Sequence, residues 1–219
     1  MHQLNRNTVA IPPCLAPTDP PRRYAELRRH EIGQVRTALL EIQKDRCAYC
    51  ERRTGQENDD GHIEHFRNQA AHAHLETEWS NLFWSCMDER SCGKHKDKCN
   101  IVGGSGTCRA FVIADIINPG TDNPEYFIQF VSDGTIVQRS GLDANEQRRF
   151  EETMRVFQLR DSALLRKSRA DAVKPYIGAL NALRESGAAI FRDYIAGECA
   201  RLDSVPFATA IGDFLKSNL

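Results

Sequence analysis

Between residues 47 and 98 the chain concentrates the residue types that do metal and acid–base chemistry: CAYC at 47–50, HIEHF at 62–66, WSNLFWSC at 79–86 and SCGKHKDK at 91–98. Two thiolates separated by two residues, Cys47 and Cys50, can hold one ion from a single tight turn, and a tetrahedral structural zinc needs a second pair from elsewhere. Cys86 and Cys92 are the first candidates for that pair, and Cys99 or Cys108 can stand in for one of them. A redox reading of the CxxC lacks the surrounding βαβ pattern it would need. Cys14 stands alone in the sequence and receives no role.

The second chemistry-bearing group is Glu64-His65. On a strand the two side chains point to opposite faces, so both serve one site only if the strand ends or bends there. The carboxylate would then take a metal while the imidazole faces a water. His72 and His74, two residues apart, share no helical face and read as bystanders. Asn81 precedes Leu82, Phe83 and Trp84, whose burial would fix its direction, and a fixed amide can hold an imidazole in one tautomer. The segment GKHKDK after Cys92 can begin a helix, with residues 93 and 97 on one face and His95 roughly opposite. Asp97 and His95 are both chemically able to complete a metal site. Arg67, Lys94, Lys96 and Lys98 are cations available to phosphates near such a site.

These groups need a body to hold them. The 219 residues are 41% hydrophobic, enough to build a core, and no run of eighteen apolar residues suggests a membrane span. The first residues, MHQLNRNTVAIPPC, are polar and broken by proline, unlike a secretion signal. A reducing cytoplasm is therefore expected, with the eight cysteines as metal ligands or free thiols rather than a disulfide framework. Net charge −1 and a pI near 6.7 argue against a protein that coats nucleic acid indiscriminately, so any such contact must be local.

Five of the nine prolines fall within residues 1–21, an extended or turn-rich arm. Apolar residues from Tyr24 to Ile42 recur at helical spacing and deliver the chain to Cys47. Residues 51–61 read as a loop and IVGGSG at 101–106 as a flexible connection. Phe111 to Ile117 and Tyr126 to Val131 read as strands, the latter turning through Asp133-Gly134 into 135–137. Asp143 to Glu146 has capping-box spacing before an amphipathic helix, broken near 160–162. Pro175 is expected to restart a helix that Gly187 ends, with further helices over 190–202 and 205–219. The whole predicts an α+β protein in four parts: an arm and helix over 1–46, a metal-stapled core over 47–110, a β-hairpin region over 111–142 and a helical region over 143–219.

Taken together, Cys47-x-x-Cys50, Ile63-Glu64-His65, Asn81-Leu82, Cys86 and Cys92 resemble the zinc-stapled branch of the HNH endonucleases, the ββα-metal fold. CAYCE at 47–51, IEHFR at 63–67, INPGTDNPEYF at 117–127, SDGTIV at 132–137 and LLRKSR at 164–169 are also similar, in that order, to the PtuB-like HNH subunit of Septu-type and retron-linked anti-phage systems. The resemblance implies His65 as general base, Glu64 as a ligand of a catalytic Mg²⁺ or Mn²⁺, Asn81 as the residue that orients His65, and Cys47, Cys50, Cys86 and Cys92 around a structural zinc. It also implies a nucleic-acid substrate and an ATPase subunit as partner. The chain departs from the family at Gly93, where relatives carry His or Asn, which leaves the third catalytic ligand between Asp97 and His95, and at Asn68, where they carry Pro. A zinc-stapled nucleic-acid-binding or adaptor module without catalysis is the competing reading, with Gly93 as its sign.

Overall fold

The computed structural model describes residues 1–18, 20, 22–55, 60–99, 108–185 and 187–219. The expected connection at 101–106 lies outside them.

The centre is a hairpin of two strands and a helix. Strand β1 (Gly61–His65) pairs antiparallel with β2 (Leu82–Cys86), from Gly61 opposite Cys86 to His65 opposite Leu82. Every residue of β2 is buried, as expected for a strand covered on both faces. Helix α1 (Arg29–Gln43) covers it from one side. The Gln43 side chain completes the β2 backbone, accepting from the Trp84 N–H at 2.8 Å and donating to the Trp84 carbonyl at 2.8 Å. Helix α2 (Cys92–Cys99) follows β2 and packs against both it and a later helix, α4 (Ala144–Phe157). This is a ββα unit.

Around it the chain is largely helical. A one-turn helix α3 (Pro124–Phe127) leads into β3 (Ile128–Phe130), which pairs with β4 (Ile136–Gln138). Gly134 makes the turn between them with φ +82°, and a Cβ there would run into the Arg166 carbonyl, so both conformation and space select glycine. Helices α5 (Ala163–Leu183), α6 (Ala188–Ala200) and α7 (Ala208–Lys216) complete the chain. Asp213 of α7 takes the Phe130 N–H at 2.8 Å and pairs with Arg139, tying the second hairpin to the last helix. Asp143 and Glu146 form the capping box of α4, and Ser162 caps α5 after the expected break.

Three expectations need correction. Residues 111–117 form no strand; they run extended through one 3₁₀ turn at Ile113–Asp115, anchored by the Thr153 hydroxyl on the Ile117 N–H. Tyr126 and Phe127 end a helical turn, so the strand begins only at Ile128. Pro175 restarts nothing and lies inside a continuous α5. The proline-rich arm packs on the body: the Arg6 guanidinium donates to the Trp79 and Leu82 carbonyls and lies over the Trp79 and Phe83 rings.

Candidate metal and acid–base centre

The four sulfurs of Cys47, Cys50, Cys86 and Cys92 lie within 4.8 Å of one another, all buried. They converge because each element ends at the right place. The Cys47–Cys50 turn rests on β2 through a 3.0 Å hydrogen bond from Ala48 to the Trp84 carbonyl. Cys86 is the last residue of β2 and Cys92 the first of α2. Cys92 sits at φ 56° and Glu51, just after the turn, at φ 62°, left-handed conformations that cost energy for residues other than glycine and persist where the surroundings impose them. Glu51 earns that conformation by anchoring: its carboxylate accepts the Thr209 N–H at 3.0 Å and pairs with the Met1 amine at 2.5 Å. Burial alone would raise the Cys47 thiol, but hydrogen bonds from the other three cysteines outweigh it and hold Cys47 well below its usual value. A buried tetrad of soft donors fits a tetrahedral zinc and leaves no open position.

The other end of the ββα unit carries the acid–base groups. β1 ends at His65, the condition under which Glu64 and His65 serve one site. An open cleft of about 510 Å³ is lined by His62, Glu64, His65, Asn68, Gln69 and Asp97, among others. The Glu64 carboxylate is 1% exposed. One of its oxygens lies 2.6 Å from the Lys96 ammonium, the other 3.3 Å from His62 Nε2. Burial pushes its pKa up, and Lys96 with His62 more than offsets this, so Glu64 stays ionised below the usual carboxylate range. Asp97 meets the same ammonium at 3.1 Å. Its carboxyl is shifted up by burial and by the Glu64 charge.

His65 donates from Nε2 to the Glu76 carbonyl at 2.9 Å when neutral, which leaves the lone pair on Nδ1. Burial holds its pKa below the ordinary imidazole value, so at neutral pH the ring is uncharged and able to accept a proton. The Tyr24 ring meets it edge-on at 4.8 Å. Arg23 grips the Glu76 carboxylate at 2.7 and 3.0 Å, fixing the residue whose carbonyl holds the imidazole.

The structure redistributes several expected roles. Asn81 makes no hydrogen bond to the His65 ring. Its amide accepts from the Arg67 N–H and donates to the Arg67 and Leu75 carbonyls, so it fixes the loop that bears Glu76 and acts on His65 at one remove. His95 points away from Glu64, toward the Val156 carbonyl at 2.8 Å, whereas Asp97 shares the cleft with Glu64. Lys96 is no surface cation: it is fully buried, and besides the two carboxylates it donates to the His65 and Phe66 carbonyls at 2.6 and 3.2 Å. Arg67 is exposed, and Lys98 is half exposed beside Glu89. Gly93 carries no side chain for a packing reason: a Cβ there would lie 2.5 Å from a Glu64 oxygen.

His62, Tyr24, Arg23 and Glu76 were not singled out from the sequence, and Lys96 was expected at phosphates rather than buried against Glu64. The strand period places His62 on the Glu64 face and could have revealed it. The others act from distant segments and leave no local signal.

No protein-family model matches the chain. Over 95 residues it is 30% identical to the Septu protein PtuB of Bacillus thuringiensis, a stretch covering 43% of this chain and 32% of that protein. The chain is thus similar to about a third of that relative's length. Among the described residues no helix is long and apolar enough to cross a membrane.

Proposed function

We propose that this protein is a metal-dependent endonuclease of the HNH type that cuts nucleic-acid phosphodiester bonds in anti-phage defence, beside an ATPase subunit. The observation that carries the reading is the meeting of an ionised, buried Glu64, a neutral His65 and Asp97 in one cleft at the end of β1, on a ββα unit stapled by four cysteines. The limited similarity to a Septu protein and the resemblance of the motifs support the defence setting.

The donors suit a hard divalent cation. The Glu64 oxygen that faces His62, the His62 imidazole and Asp97 would hold Mg²⁺ or Mn²⁺, which supplies neutralisation of phosphate charge and support for the departing 3′ oxygen. His65 takes the proton of the attacking water on Nδ1, its ring held by the Glu76 carbonyl. Tyr24 and Asn81 limit the positions the ring can reach. Lys96 holds Glu64 ionised and keeps the His65 and Phe66 carbonyls in place. Arg67, exposed next to the cleft residue Asn68, and the half-buried Lys94 of α2 meet neighbouring phosphates.

A second reading has its own observation. The Lys96 ammonium already occupies one oxygen of Glu64 and touches Asp97, as a cation would, which favours a zinc-stapled binding module without catalysis. Purified protein with Mn²⁺ or Mg²⁺ and the ATPase subunit, given matched DNA and RNA, is expected to cut, and His65→Ala is expected not to. Equal cutting by the His65→Ala protein would remove the base assignment.

A further inference from the structure

A second cluster of metal-binding side chains lies outside the centre described above. His95 and Cys99 stand four residues apart on α2 and so share one helix face. Cys108 joins them from beyond the helix, and the three donor atoms lie within 4.8 Å of one another. Cys99 and Cys108 are paired as a disulfide in the structure. The His95 ring is held by the Val156 carbonyl of α4 at 2.8 Å and is 3.7 Å from the Cys99 sulfur. Both contacts are made by Nδ1, so an ion held there would take the place of the hydrogen bond to the Val156 carbonyl.

From this geometry we infer that His95, Cys99 and Cys108 form a second zinc site, present when the two sulfurs are reduced. The bond and the site exclude one another. A dithiol reductant breaks the Cys99–Cys108 bond, its own two sulfurs joining as a disulfide and its two hydrogens passing to Cys99 and Cys108. Binding of Zn²⁺ then displaces both protons, and the three protein ligands leave a fourth position for water. Two thiolates and an imidazole select zinc over the hard cations suited to the Glu64 cleft.

The consequence for the fold is specific. α2 starts at Cys92, in the first cluster, and ends at Cys99, in the second, so its eight residues would be held at both ends. Lys96 and Asp97, which face Glu64, lie between the two clamps. Of the eight cysteines only Cys14 and Cys199 then fall outside a metal cluster.

The test is zinc content of the full chain, purified under a phosphine reductant and freed of loosely held metal, beside the Cys99→Ser/Cys108→Ser double variant and His95→Ala. The original protein is expected to hold about one zinc more than the double variant. His95→Ala, which keeps both sulfurs, should lose the additional ion to a weak chelator many times faster than the original. Alkylation mapped by mass spectrometry is the second readout: with zinc present Cys99 and Cys108 should resist modification until a chelator is added. Equal zinc in the original and the double variant, whatever its amount, overturns the second site. So does a Cys99–Cys108 bond that persists in the reduced, zinc-loaded protein. Loss of the tetrad zinc would lower all three proteins alike, so the difference between them reports on this site alone.

Discussion

The two ends of the ββα unit use the same scaffold for opposite purposes. At the cysteine end the protein supplies four soft donors, all at most 4% exposed, and the shell is closed. At the Glu64 end the donors are oxygens and imidazoles, one carboxylate oxygen is already satisfied by an internal ammonium, and the group opens into a cleft. A closed shell can only brace the fold; an open one can admit a substrate phosphate and a water. The difference also explains Gly93: one residue after Cys92 of the tetrad, it passes so close to Glu64 that no side chain fits. The staple and the chemistry are two packed layers of one structure.

The largest effect expected is at the closed end. Cys47→Ser or Cys92→Ser should abolish cooperative thermal unfolding of the core, because the binding free energy of a structural zinc is on the order of 10 kcal/mol and is folding free energy. Near-UV circular dichroism before and after chelation checks this, and survival of the fold without metal would erase the contrast.

Lys96→Met should cost about 3–5 kcal/mol in denaturant titration, since it strands the buried Glu64 carboxylate. The Glu64→Gln/Lys96→Met pair should cost less than Lys96→Met alone, and added Mn²⁺ should recover part of the single variant's loss.

Acid sensitivity should map to the back of the cysteine turn. Burial, with Arg46 beside it, lowers the His2 pKa from 6.5 to about 4 although Glu51 opposes the shift. The folded protein therefore binds fewer protons than the unfolded chain between these values. Stability should fall as pH drops from about 6.5 to 4, by about 3 kcal/mol if His2 acts alone. Glu51 adds to the loss at lower pH, because its own pKa is depressed: burial pushes it up, but the Met1 amine, His2 and Arg46 outweigh that. His2→Gln should flatten the upper part of this slope in pH-dependent melts.

Gly93→Ala should cost about 1–3 kcal/mol through the forced shift of Glu64. Arg67→Ala and Lys94→Ala should leave stability within about 0.5 kcal/mol and weaken nucleic-acid binding with a shallower salt dependence.

Much of this centre was legible in the sequence because its ligands fall where elements begin and end. The Cys47–Cys50 turn and the start of a helix at Cys92 follow from local spacing, whereas the end of β1 at His65 was a condition the sequence posed without settling. The α4 capping box and the break before α5 were equally local. What could not be read was contact at a distance. Tyr24 reaches His65, and Arg23 reaches Glu76, from a segment that the sequence marks only as a way into core packing, and Lys96 appears in the sequence as one of several similar lysines. Helical phase separates Lys96 from its neighbours only once the face of α2 that meets Glu64 is known. Residues 111–117 failed for a related reason: an apolar run reads as strand, yet among the described residues no partner strand lies beside it, and the Thr153 hydroxyl takes the Ile117 N–H instead.

Metal-dependent cutting requires the Glu64 end to accept a divalent ion despite Lys96. Electron paramagnetic resonance of Mn²⁺ titrated into the zinc-loaded protein measures this directly. About one tightly bound Mn²⁺ per chain, lost in Glu64→Gln and kept in His65→Ala, is the predicted result. Absence of Mn²⁺ binding, or binding unchanged in Glu64→Gln, would contradict it and leave a stapled module whose internal ammonium stands permanently in the place of the metal.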